Sequence, residues 1–175
     1  AEDLKTLRPQ LAVGPYLAGL AAQARGDGDA AVKEFESALK LQPTAMDALS
    51  ALVRVQVARG RTASAIDRVN ASVAASPDNA IARNLLAELH FAAKDFPKAV
   101  EQARRSIALA PKWATPYFTL GATQVAAGDA EAALATFSSG MQATGGDLRL
   151  TTELGALYER LGRTDEAIAL YEKLI

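Results

Sequence analysis

Four prolines divide this chain at equal intervals: Pro9, Pro43, Pro77 and Pro111 each lie 34 residues from the next, and Gly145 takes the following beat. Three more columns keep the same step. One reads Ala31, Ala65, Ala99, Ala133, Ala167; a second reads Val32, Ile66, Val100, Leu134, Ile168; a third reads Gly26, Gly60, Lys94, Gly128, Gly162. A period of this length is too long for a single helix and too short for a domain. It is the length of one helix–turn–helix unit that can bury its apolar face only by stacking on copies of itself.

One unit, Ala114–Asp147, shows why these residues recur. Ala114–Ala127 carries apolar residues at helical spacing, and Pro116 falls in the first turn, where no helical N–H is needed. Gly128–Asp129 breaks the pattern, because glycine adopts the left-handed conformation that closes a helix. Glu131–Thr144 predicts a second helix with Ala133, Leu134, Phe137 and Met141 on one face. Gly121 and Ala133 are small where the antiparallel helices must cross closely, and Phe137 is expected to fill the gap between neighbouring units. In the earlier units Pro43, Pro77 and Pro111 end the second helix, and Thr44 and Asp78–Asn79 are expected to cap the next one.

These columns resemble the tetratricopeptide (TPR) pattern over nearly the whole chain. The resemblance implies an all-α fold, a right-handed α-solenoid of antiparallel helix pairs. In its register residues 1–11 are the tail of a truncated preceding repeat. Repeats then occupy 12–45, 46–79, 80–113 and 114–147, with an incomplete fifth at 148–175, all in one continuous solenoid domain. A short leading helix is expected within Ala1–Arg8, and ten helices thereafter. The small position of the first helix reads Gly19, Val53, Ala87, Gly121, Gly155, and the aromatic position of the second reads Phe35, Val69, Ala103, Phe137, Tyr171. The second and third repeats depart from the family pattern at that aromatic column, which places their local packing in question. No polar capping helix is visible, so the chain reads as a piece of a longer array. Leu157, Tyr158, Ile168 and Tyr171 would then form an open apolar end suited to end-to-end self-association.

Composition excludes several chemistries. The chain has no cysteine, hence no disulfide, thiolate metal site or cysteine nucleophile, a composition that fits cytoplasm and periplasm alike. No run of 18 apolar residues is present to insert in a membrane. A net charge of −1 with interspersed signs argues against nucleic acid; Arg104–Arg105, the one basic pair, is expected on a solvated convex face. His90 is a satisfied packing histidine in this reading. Asp27, Asp29, Asp129, Glu131, Asp165 and Glu166 gather at second-helix starts, where they favour the helix dipole and supply caps. Neither Gly26-Asp27-Gly28 nor Gly145-Gly146 is followed by the Lys-Ser/Thr of a phosphate loop. No catalytic, cofactor or metal site is therefore expected, and the chain reads as a non-enzyme.

What the family resemblance implies instead is a concave groove lined by first helices. Carried residue by residue onto this chain, its wall begins with Val13, Tyr16, Leu20 and Gln23, then Asp47, Ser50, Arg54 and Val57. It continues with Ile81, Asn84, Glu88 and Phe91, then Thr115, Phe118 and Val125, and ends with Arg149, Thr152, Glu159 and Arg160. The Lys/Asn/Asn/Lys/Arg set with which some members hold a C-terminal carboxylate is not reproduced. An apolar and aromatic strip with polar punctuation fits a peptide or an amphipathic helix of a partner protein. The expected function is a protein-interaction scaffold. A structural spacer or self-assembling segment, and a regulatory array of a larger enzyme, are the alternatives. The alanine-rich, cysteine-free style also resembles bacterial TPR proteins, including those of the cell envelope associated with exopolysaccharide export.

Overall fold

A computed structural model of the chain describes residues 11–172. The leading helix expected within Ala1–Arg8 lies outside the described residues. Ten α-helices and no strands are found among those described. They fall into two compact units that divide between Asp78 and Asn79. The first holds α1 (Val13–Ala24), α2 (Gly28–Leu41), α3 (Met46–Ala58) and α4 (Thr62–Ala75). The second holds α5 (Ala80–Ala92), α6 (Phe96–Leu109), α7 (Ala114–Ala126), α8 (Ala130–Thr144), α9 (Leu148–Arg160) and α10 (Thr164–Tyr171).

The turn inside each helix pair has one design. Gly26, Gly60, Gly128 and Gly162 have φ between 71° and 85°, and Lys94, in the same column, has φ 60°. With that residue left-handed, the next N–H turns back to the carbonyl five residues earlier. Asp27 N donates to Ala22 O at 3.0 Å, Asp95 N to His90 O at 2.8 Å, and Asp129 N to Gln124 O at 2.8 Å. This is the Schellman closure, which satisfies carbonyls that a helix end would otherwise orphan. The residue after the left-handed one then opens the second helix. Asp27, Asp95 and Asp129 accept from the backbone N–H three residues on.

Caps of the first helices only partly follow expectation. Asn79 accepts from Ala82 N at 3.0 Å and Asp147 from Leu150 N at 3.1 Å. Thr44 caps nothing: the residue before α3 is Ala45, and that helix end has no side-chain cap. Asp78 likewise leaves the role to Asn79.

The helices of a pair meet through complementary sizes. A Cβ placed on Gly121 would lie 2.4 Å from the Phe137 ring, and one on Gly19 would lie 2.4 Å from the Phe35 ring. Gly155 faces the Tyr171 ring in the same way. The aromatic ring therefore lies over the glycine of its own repeat, which corrects the expectation that Phe137 serves chiefly between repeats. Its other neighbours do come from the next helix pair, since Leu150, Leu154 and Leu157 share its core. Where the aromatic is missing, the partner is larger: Val53 with Val69, and Ala87 with Ala103, the last three fully buried. The departures seen in sequence leave no exposed gap at those positions.

A further small column, Ala38, Ser72, Ser106 and Gly140, is buried throughout and was not singled out from sequence. A Cβ on Gly140 would meet Tyr117 at 2.7 Å and Leu150 at 2.9 Å, so this column sets how closely a second helix seats on first helices. Ser106 uses its hydroxyl there, donating to Ala80 O at 2.8 Å. At the far end the expected open apolar face is narrower than its four residues imply. Leu157 is buried and Tyr171 is spent on Gly155, while Ile168 is 50% exposed.

Candidate functional site

In the second unit the first helices α5, α7 and α9 pack side by side, α7 touching both others. Where they meet, an open hollow of about 160 Å³ is formed. One wall is Glu88 and Phe91 of α5, the floor is Thr115, Phe118, Thr119 and Ala122 of α7, and Arg149 of α9 closes the other side. Glu88, Phe91, Thr115, Phe118 and Arg149 are all residues expected in the groove. They come from three repeats, so their convergence depends on the stacking and not on any local motif.

The polar groups are held in a definite way. The Arg149 guanidinium lies over the Phe118 ring, 3.4 Å from its centroid. Asn84 is buried to 3% exposure and donates through Nδ2 to Glu88 Oε1 at 2.7 Å; its own Oδ1 has no partner. Partial burial raises the Glu88 pKa above the ordinary glutamate range, while the Asn84 hydrogen bond and the Arg149 charge pull it back. Thr119 spends its hydroxyl on Thr115 O at 3.1 Å.

A second hollow of about 200 Å³ opens farther along α7 and α9. Ala122 lines both, and Val125, Ala156 and Leu157 make the second one apolar, with Glu153 and Arg160 at its rim. Ile81 is 44% exposed on α5 but lines neither. Thr152 is exposed and donates to Leu148 O. In the first unit, Val13 and Tyr16 of α1 share an open cleft of about 400 Å³ with Met46 and Asp47 of α3. The Tyr16 ring stands 6.0 Å from Phe35, so it is partly a core residue. Leu20 and Ser50 are half-buried, and Gln23, Arg54 and Val57 are exposed.

Ala122 and Thr119 were missed from sequence. Ala122 occupies the same repeat position as Leu20, Arg54 and Glu88, so the positional rule contains it; only its small size hid it. Thr119 gives no such signal. On another face, Arg105 pairs with Glu101 at 2.8 Å, whereas Arg104 rims a hollow of about 270 Å³ over Ile107, Tyr117 and Leu120. Both arginines are exposed, as expected.

Among the described residues no cluster of three or more His, Cys, Asp or Glu side chains could hold a metal, and no helix is long and apolar enough to cross a membrane. His90 is 8% exposed, with Nδ1 3.9 Å from Asp95 Oδ2. Burial lowers its pKa; Asp95 and Glu101 oppose that shift and Lys98 adds to it.

Helix pairs repeating at 34 residues, closed by one turn design and packed through one small-for-large column, define an all-α helical-repeat protein. The chain belongs to the tetratricopeptide-repeat family: one TPR model matches residues 50–112 and 117–175, and another matches 22–75. Among solved structures it is similar to a thermophilic TPR protein of Thermus thermophilus, with TM-score 0.69 and 25% identity, covering 93% of this chain and 89% of that one. It is also similar to MamA, with TM-score 0.70 and 25% identity over 89% and 91% of the two chains. PilF of Pseudomonas aeruginosa, at 18% identity and TM-score 0.73, shares the fold, covering 92% of this chain and 73% of that one. No curated protein matches the chain. Proteins of the family generally mediate protein–protein interaction, and the repeat is typically a non-enzymatic scaffold.

Proposed function

We propose that this chain is a protein-interaction scaffold that binds an extended segment of a partner protein across α5, α7 and α9, and that it carries no catalysis of its own. The observation that carries this reading is the convergence of Glu88, Phe91, Phe118 and Arg149, from three separate repeats, on one open hollow. Aromatic surface is exposed there: Phe91 is 37% exposed although its ring also stands 6.2 Å from Phe96, while the core rings Phe35 and Phe137 are at most 2% exposed. Aromatic and arginine side chains of this kind dominate the binding energy of interfaces. The groove residues of the first unit, Tyr16, Leu20, Asp47 and Arg54 among them, are proposed as a partner-contacting surface of that unit by itself.

The test is a selection of peptides from a random display library against the chain, followed by affinity measurement on variants. Phe91→Ala should weaken the selected peptides by about 1–3 kcal/mol, with the melting temperature unchanged. Peptides indifferent to Phe91→Ala and displaced by salt alone would place binding on another surface.

A further inference from the structure

Arg149 is held differently from Arg105 and Arg163 of the same unit. Arg105 is spent on Glu101 at 2.8 Å, and Arg163 on Glu166 at 2.7 Å. Arg149 is held by the face of Phe118 alone. A guanidinium over an aromatic face keeps its N–H groups for other partners. Among the described residues no hydrogen bond or ion pair engages them, and Glu88 acts on Arg149 through charge only. Glu88 is already committed, because its Oε1 receives the Asn84 amide at 2.7 Å. The result is an exposed fork of donors, placed over Phe118 beside an apolar hollow. A planar fork of this type pairs bidentately with a carboxylate, and holding it in place beforehand removes an ordering cost of binding.

Building on the scaffold reading, we infer that the groove recognises a peptide segment in which an internal Asp or Glu stands beside a large apolar residue. The carboxylate takes the Arg149 fork, and the apolar side chain enters the hollow between Phe91, Phe118 and Ala122. The acid is a side chain and not a chain end, because a second apolar hollow adjoins the first at Ala122 and gives the segment room to continue. A segment lying along α7 and α9 therefore has a second apolar anchor, toward Val125 and Ala156. Glu88 in the first hollow and Glu153 in the second disfavour a second acid on either side of the one that Arg149 takes.

The experiment uses the selected peptides, synthesised with amidated C-termini, on the whole chain. Enrichment of an acidic residue next to a large apolar one is expected. Arg149→Gln, a change at an exposed residue, should weaken these peptides about 10- to 100-fold. Changing the peptide acid to its amide should cost as much on the wild type and nothing further on Arg149→Gln. Arg149→Lys should recover only part of the loss, since lysine keeps the charge but not the fork. If Phe91→Ala weakens the peptides but Arg149→Gln does not, the acid recognition is overturned and the groove reading stands. If peptides bind only with a free C-terminal carboxylate, the internal acid is overturned. If neither Phe91→Ala nor Arg149→Gln matters, the groove reading falls and this inference with it.

Discussion

The third and fourth repeats, α5–α6 and α7–α8, are neighbours in one compact unit and solve the same packing problem differently. In the fourth, Gly121 leaves a space that Phe137 fills, Gly128 makes the turn at φ 85°, and Gln124 accepts from Thr136 Oγ1 at 2.7 Å. In the third the equivalents are Ala87, Ala103, Lys94 and His90. Ala87 and Ala103 are fully buried with no ring between them, Lys94 takes φ 60° despite its Cβ, and His90 is buried beside Asp95. One repeat concentrates its packing in a single large ring; the other spreads it over small contacts and accepts a strained turn. Backbone geometry is thus conserved by the pairing of sizes and not by any one residue.

The comparison can be broken most directly at the ring. Phe137→Ala should cost about 3–5 kcal/mol in denaturant unfolding, as other buried Phe truncations do, while Ala103→Gly should cost only about 1 kcal/mol. Equal losses would mean that the two repeats are not built differently. Next, Ala103→Phe should destabilise by about 1–3 kcal/mol through overpacking. Adding Ala87→Gly should restore part of that loss, with a coupling of about 0.5–3 kcal/mol. Strict additivity of the two changes would show that the glycine–ring pair cannot be transplanted.

The turns give a smaller effect of opposite sign in the two repeats. Lys94→Gly should raise stability by about 1 kcal/mol, and Gly128→Ala should lower it by about 1 kcal/mol, because a Cβ in the left-handed region is unfavourable. Thermal melts of the two variants decide this. The smallest effect concerns His90, whose pKa is lowered from its ordinary 6.5, chiefly by burial. The neutral form is the one the fold prefers, so its contribution is complete above pH 6.5. As pH falls through that value the unfolded chain takes up the proton first, and stability drops until the folded histidine titrates as well. His90→Gln, the residue of the fourth repeat, should flatten this dependence while leaving stability above the window nearly unchanged.

Much of this architecture was legible as columns. The turn glycines announced the left-handed residue even at Lys94, because register and not residue type defined the position. The glycine–aromatic pairs were legible as two columns, but not as one contact: Gly19 and Phe35 are 16 residues apart, and only the helix crossing brings them together. The buried column of Ala38, Ser72, Ser106 and Gly140 was invisible because alanine, serine and glycine share size and little else. Thr44 misled because a capping residue must precede its helix by one position, and Ala45 stands in between. In the hollow across α5, α7 and α9, Phe118 and Arg149 were each singled out by register. Their stacking, and the burial of Asn84 behind Glu88, depend on side-chain directions that no column records.

The glycine–ring fit has a consequence for how such a chain can grow. Phe137 meets Gly121, Phe35 meets Gly19, and Tyr171 meets Gly155, each within a stretch of DNA that duplicates or is lost as one piece. A gene copy that carries a helix pair carries both halves of its fit, so a newly inserted repeat arrives already matched to itself. Val53 with Val69 and Ala87 with Ala103 meet the same need with other sizes, and in them too both partners lie within one repeat.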